Sequence, residues 1–170
     1  MTVKFVDKPE VSRGIASFYG GMTVFIMILM AFLAYAGFFI STGLIGTLVL
    51  IVLAFVEAVM LLILRSLYRT RYILTDEELV IKTTKLIGGD KRIPLKTIKS
   101  VEKTLIPFGF RLFGASFHGG YYHIPGLGRA FLAITNLRNG ILIKTQQGNY
   151  IITPKDPERF MKIIKVNASP

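Results

Sequence analysis

The sequence predicts an α+β membrane protein: a transmembrane helical hairpin, then about seven short antiparallel strands, then one C-terminal helix. Three observations predict it. Residues 14–56 contain no Asp, Glu, Lys or Arg, an uncharged run of 43 residues. Of the 21 Lys and Arg and 10 acidic residues, 18 and 7 fall in 65–170, so that part carries the whole net charge of +11. After residue 71, short alternating segments are punctuated by turn signals, the mark of strands.

A chain of 170 residues holds one ordinary domain with a small appendage. Its apolar content of 52%, mean hydropathy of +0.54 and pI near 10.0 fit an integral membrane protein with a basic side. The absence of Cys excludes disulfides, thiolate metal sites and Cys nucleophiles. Two His leave no multi-histidine metal site.

Taken in order, residues 1–17 are expected as a cytoplasmic N-terminal segment. A single helix over 14–56 would be roughly 64 Å long at 1.5 Å per residue, against a hydrocarbon core of about 30 Å. The run therefore folds back, and Ser41-Thr42-Gly43 is its turn signal. The spans are placed at 18–40 and 44–64. Because the apolar run continues into a second span, a retained anchor is expected rather than a cleaved signal peptide. Lys4, Lys8 and Arg13 precede the hairpin, Arg65, Arg69 and Arg71 follow it, and the turn has no basic residue. The bias of basic residues to the inner side places both termini in the cytoplasm of a multi-pass cell-membrane protein. Tyr19 and Tyr68 sit at the inner ends, where amphipathic rings favour the interface.

Glu57 is the one ionisable residue within the spans. A carboxylate at membrane depth costs about 2.5–3.5 kcal/mol, which makes Glu57 a candidate intramembrane polar contact. Its partner would come from the facing helix, where Met27 is level with it and Thr23 one turn away, or from another subunit. Ala54 and Ala58 form a small-xxx-small pair that permits close helix approach.

After the basic linker 65–71 comes the domain, placed at 72–166, with a tail at 167–170. Tyr72-Ile73-Leu74, the turn Thr75-Asp76-Glu77-Glu78 and Leu79-Val80-Ile81-Lys82-Thr83 read as strand, turn, strand. Gly88-Gly89-Asp90 is a second turn, and Pro94 marks a strand end. Ile98–Thr104 alternates as a strand. Phe131–Asn136 and Ile141–Thr145 flank Asn139-Gly140, a strong hairpin signal. Tyr150–Thr153 then completes a meander. Asp156 is an N-cap, Pro157 suits the first helical position, and Phe160, Ile163 and Ile164 make one apolar face.

Two motifs in this order resemble the opening of prokaryotic pleckstrin-homology-like domains. They are Tyr72-Ile73-Leu74-Thr75-Asp76-Glu77-Glu78-Leu79-Val80-Ile81 and Ile93-Pro94-Leu95-Lys96-Thr97-Ile98-Lys99-Ser100-Val101. Arg111, Gly114, Gly120-Tyr121-Tyr122 and Thr153-Pro154-Lys155-Asp156-Pro157-Glu158-Arg159-Phe160 resemble the later part of a membrane-anchored subgroup with two N-terminal transmembrane helices. The resemblance covers about 71–165. It implies a small, strongly bent antiparallel barrel or sandwich plugged by the C-terminal helix, and a binding or assembly role without catalysis. Eukaryotic relatives hold inositol phosphates on basic residues of the first strand pair. Here that turn is acidic, so the site does not carry over.

The basic cluster offered instead for the anionic inner leaflet is Arg65, Arg69, Arg71, Lys82, Lys85, Lys91, Arg92 and Lys96, continued by Lys99 and Lys103. Each basic residue near such a surface is worth about 1 kcal/mol. Nucleic acid is not expected, because no stacking aromatics interleave these Lys. The Gly- and aromatic-rich segment 105–128 is expected as bent strands filling the core, with Phe108 and Phe110 as candidate exposed contacts. Enzyme signals are weak. Gly126-Leu127-Gly128 lacks a surrounding βαβ unit, Ser116 and His118 have no acid near them, and His118 with His123 has no local carboxylate. No cofactor is expected. The expected partners are membrane lipids and a protein, either unidentified or a second copy. The alternative role is an accessory subunit of a larger membrane transporter or membrane-enzyme complex, docking through the hairpin.

Overall fold

The structure, a computed structural model, describes residues 2–40, 43–106, 109–113, 119–138 and 140–168. It divides into two units: residues 13–65, and a domain assembled from 1–12 and 66–170.

The first unit holds α1 (Arg13–Ile40) and most of α2 (Gly43–Arg69). Both helices are long and apolar enough to cross a membrane. Large apolar side chains such as Phe25, Phe32, Leu44, Ile51 and Phe55 are exposed along them, the pattern of helices whose surroundings are apolar. The expected turn residues Ser41 and Thr42 lie outside the described residues. Gly43 opens α2 at φ +57°, a backbone that suits glycine. The last turn of α2 belongs to the domain, where Ser66 and Leu67 are buried and the Thr84 hydroxyl donates to Ser66 Oγ at 2.7 Å.

The domain has two separate sheets and ten strands among the described residues. The first sheet runs β1 (Val3–Asp7), β2 (Arg71–Thr75), β3 (Glu78–Lys82), β4 (Lys91–Pro94), each antiparallel to its neighbour. The second comprises β5 (Ile98–Thr104), β6 (Phe110–Phe113), β7 (Gly119–Ile124), β8 (Gly128–Ala133), β9 (Gly140–Thr145) and β10 (Asn149–Ile152). Its spatial order is β5-β9-β10-β8-β7-β6. The helix α3 (Pro157–Ala168) follows.

This architecture corrects the sequence-based expectation in three respects. No closed barrel forms. Pro94 ends β4 without a backbone donor, and a 3-10 turn over Leu95–Thr97 carries the chain from one sheet to the other. Leu95 N donates to Glu77 O at 2.8 Å and fixes that corner. The strand count exceeds seven because the bent strands expected within 105–128 appear as β6 and β7 beside the seven segments, and because β1, which the sequence pattern did not single out, joins the first sheet. Finally, β8 and β9 are not a hairpin. β10 lies between them, parallel to β8 and antiparallel to β9. Asn139 lies outside the described residues, but its flanks explain the crossing. The backbone N–H groups of Thr135 and Asn136 donate to Thr153 Oγ1 at 2.8 and 3.3 Å rather than across a hairpin.

The main core lies between the sheets. Tyr72, Leu74, Leu79, Ile81 and Ile93 come from the four-stranded sheet, and Phe131, Ile141, Ile143 and Ile152 from the six-stranded one. Phe160 and Ile164 of α3 complete it. As expected, Asp156 caps α3, its Oδ1 accepting from Arg159 N at 3.0 Å. A second cluster (Tyr122, Ile124, Ala130, Leu132, Ile134, Leu142, Ile151) occupies the opposite face of the six-stranded sheet. With both faces of β8 and β9 buried, Ala130–Ile134 and Ile141–Ile143 are continuous apolar runs rather than alternating ones.

Two tight turns use one device. Thr75 Oγ1 accepts from Glu78 N (3.1 Å) and donates to Glu78 O (3.0 Å). Thr145 Oγ1 does the same with Gly148 N (3.1 Å) and Gly148 O (2.7 Å). At Gly88, φ is +116° and an added Cβ would lie 2.8 Å from the Phe131 ring, so only glycine fits there.

Candidate binding surfaces

Strand alternation sorts the basic residues. Residues paired directly across the four-stranded sheet share a face. Tyr72, Ile81 and Lys91 form one such row, and it faces the core. Val6, Ile73, Val80 and Arg92 form a row on the outer face. Arg71 and Lys82 stand directly opposite each other on that same outer face, both exposed. The outer face is thus a half-exposed apolar strip flanked by three cations. Arg92 Nη1 has one acidic neighbour, Glu78 Oε1, at 3.5 Å.

The eight expected residues do not all share this face. Lys85 and Lys96 are exposed on separate 3-10 turns. Arg69 closes α2 and is exposed, and Arg65 belongs to the helical unit. Lys91 turns inward, its Nζ 5.0 Å from the Tyr121 ring centroid and 5.1 Å from that of Phe131. Adjacent in sequence, Lys91 and Arg92 serve opposite sides of the sheet. Of the exposed-aromatic candidates, Phe110 stands in β6 and is 66% exposed; Phe108 lies outside the described residues, as do Ser116 and His118.

A buried polar network joins the strands to the segment that leads into α3. The Tyr72 hydroxyl donates to Ala133 O at 2.8 Å and accepts from Thr153 N at 3.2 Å. Thr153 and Thr135 share a hydroxyl bond of 3.1 Å. Burial pushes the Tyr72 hydroxyl well above its ordinary pKa, so it stays a donor. Asp7 is buried beside this network and accepts from Lys155 N at 3.0 Å.

The acidic first turn is occupied internally. Lys4 Nζ lies 3.0 Å from Asp76, and its hydrogen bond holds the Asp76 carboxyl below its ordinary pKa. Among the described residues, no three His, Asp or Glu side chains gather as a metal site.

A small pocket of about 280 Å3 opens over the six-stranded sheet. Its floor is a cross-strand row, Tyr121, Phe131 and Tyr150, on β7, β8 and β10. Tyr121 and Phe131 meet edge to face at 5.2 Å, and Phe131 and Tyr150 at 6.3 Å. Arg129 lies at its side. The sequence pattern did not single out Arg129, because nothing in Gly128-Arg129 distinguishes it from a solvated surface residue.

Residues 70–168 match the family model described as "Bacterial PH domain". The chain belongs to the bacterial PH domain family. No curated protein and no solved structure matches it. Membership agrees with the resemblance read from the Tyr72–Ile81 and Ile93–Val101 segments, and two N-terminal helices apolar enough to span a membrane precede the domain. PH domains are binding modules for proteins or lipids, generally without catalysis. In this bacterial PH domain the chemistry available at the surface is of that kind: cations, apolar strips and aromatic rings.

Proposed function

We propose that this protein is a membrane-anchored binding module. Its hairpin crosses the cytoplasmic membrane twice with both termini inside. Its PH domain organises a protein partner, or a second copy of the chain, at the membrane surface, and does not catalyse a reaction. The outer face of the four-stranded sheet touches anionic lipid.

The observation that carries this reading is the directly opposed pair Arg71 and Lys82, with Arg92 on the same face. Like charges opposite one another repel, and an anionic surface, which attracts each nearby basic residue by about 1 kcal/mol, favours holding them together. Val6, Ile73 and Val80 beside them offer apolar area to the interface. A tethered domain needs little intrinsic affinity, because the anchor sets a high effective concentration.

The chain has no Cys, so Val6→Cys provides a single labelling site on this face. A nitroxide there, on full-length protein in nanodiscs, is expected to gain lipid-phase oxygen accessibility when zwitterionic lipid is replaced by anionic lipid. High salt is expected to reverse the gain, and the pair Arg71→Gln and Lys82→Gln to weaken it. The same signal in both lipids would end the lipid-contact part of the reading.

One observation favours the accessory-subunit reading. Thr23 Oγ1 and both carboxylate oxygens of Glu57 are shielded and have no hydrogen-bond partner among the described residues. An unsatisfied polar group at membrane depth is costly; the chain's own atoms cover these oxygens, so a docking subunit satisfies them by opening the hairpin around Glu57. Under this reading, Glu57→Leu dissolves a complex that survives mild detergent. Under the first reading, the substitution leaves the protein's associations unchanged.

A further inference from the structure

Among the described residues, a pair of depressions on the domain surface differ in how their cations are partnered. A cleft at the start of α3 is lined by Lys103, Arg138, Lys155 and Glu158. There Lys103 Nζ lies 2.6 Å from Glu158, and Lys155 Nζ 2.6 Å from Glu10. Two of its three cations are already neutralised. The pocket over the aromatic row is different. Arg129 Cζ lies 4.6 Å from the Tyr121 centroid, and Lys91 Nζ lies over the Tyr121 and Phe131 rings. Neither has a carboxylate partner among the described residues, and no acidic side chain lines the pocket.

We infer that this pocket binds a small organic anion with an aromatic body. The body lies against the half-buried Tyr121 and Tyr150, above the buried Phe131, and the anionic head meets Arg129.

Size, sign and shape support the assignment separately. A volume of about 280 Å3 lies just below the roughly 300–1,000 Å3 of pockets for drug-sized ligands, which selects a small molecule. Sign follows from the two unpaired cations. An aromatic floor ordinarily attracts a cation, but the positive charges of Lys91 and Arg129 beside Tyr121 repel another, and the Tyr150 ring is left for the ligand's apolar body. Shape follows from the Tyr121 and Tyr150 rings, tilted 64° and 60° to the Phe131 ring between them, which leave room for one small ring, and from the Arg129 guanidinium, whose planar fork suits an oxyanion better than a spherical ion. Gln147 and Asn149 add amide groups at the rim. Lys91 is not a lining residue; it raises the positive potential at the rings from the facing sheet. The pocket lies on the inner side of the six-stranded sheet. It is therefore separate from Arg71, Lys82 and Arg92, and stands or falls independently of the lipid contact.

The test is calorimetric titration of the full-length protein, in zwitterionic nanodiscs, with four probes that share a ring. Benzoate and phenyl phosphate are expected to bind, benzamide at least tenfold more weakly, and benzamidine not at all. Arg129→Gln is expected to weaken both anions at least tenfold, Arg129→Lys to restore part of that loss, and Lys91→Gln to cost a smaller factor. Arg129 is exposed, so its substitution spares the core, and that variant decides the matter if Lys91→Gln fails to fold. Benzamide binding as tightly as benzoate would overturn the inference. So would anion affinities unchanged in Arg129→Gln, or no binding of either anion at millimolar concentration.

Discussion

Asp7 is an acid buried at the end of an edge strand. Burial raises its carboxyl above the ordinary value, and the Lys155 backbone N–H and charge offset only part of that. A folded state that holds this proton more tightly than the unfolded chain is most favoured below the ordinary carboxyl pKa. The contribution is then lost as pH rises through the raised folded value. Asp7→Asn keeps an oxygen for Lys155 N and removes the titration. Unfolding of the full chain in detergent from pH 3 upward should therefore show the wild type losing stability relative to Asp7→Asn across that window. A difference that stays flat with pH would mean that burial does not perturb this acid. At this scale the sequence was half legible. Strand alternation implies that Lys91 and Arg92 point to opposite sides, but not that Lys91 meets Tyr121 and Phe131, more than 25 residues away in the chain. Arg129 and Asp7 were not legible, since burial and partners belong to the assembled sheets.

The elements that were legible are those whose signals are local. The Thr75 turn, the Gly88-Gly89 turn, the strand end at Pro94 and the Asp156 cap each depend on residues within a few positions, and each is where the pattern placed it. The strand β1 is different. Val3-Lys4-Phe5-Val6-Asp7 alternates only loosely, and its partner β2 lies beyond the whole helical hairpin. The parallel pair β8 and β10 escaped for a related reason, because Asn139-Gly140 reports a local turn and not which strand inserts beside it. Phe5 tests whether β1 is integral. Its ring meets Phe160 edge to face at 6.0 Å, and it packs against the main core. Phe5→Ala should cost about 2–3 kcal/mol, somewhat below a fully buried phenylalanine. Lys4→Ala on the same strand removes an exposed ion pair to Asp76 and an exposed hydrogen bond to Asn167 Oδ1 and should cost clearly less than Phe5→Ala. Equal small effects from chemical denaturation would reduce β1 to an adherent tail.

At the scale of the whole molecule, β1 constrains topology in a way that charge bias alone does not. Residues 3–7 pair with 72–75, and the uncharged run lies between them. The segments before and after the hairpin are one folded body, so any membrane the hairpin crosses has both on the same side. An even number of spans, flanked by basic residues at both ends, meets the same requirement. It also follows that the 71–170 fragment is not the whole domain, because it would leave the Phe5 contact and the β2 edge uncovered. In a chain without Cys, Val3→Cys and Val166→Cys are each exposed single sites. In intact cells, both should resist a membrane-impermeant maleimide and become reactive after permeabilisation. Paired cysteines at Val6 and Ile73, directly opposite in β1 and β2, should cross-link within one chain on oxidation. Labelling of either single site from outside intact cells would refute a cytoplasmic domain. Opposite accessibility of the two sites would refute the shared body itself, because a strand cannot pair through a bilayer with a partner on the far side.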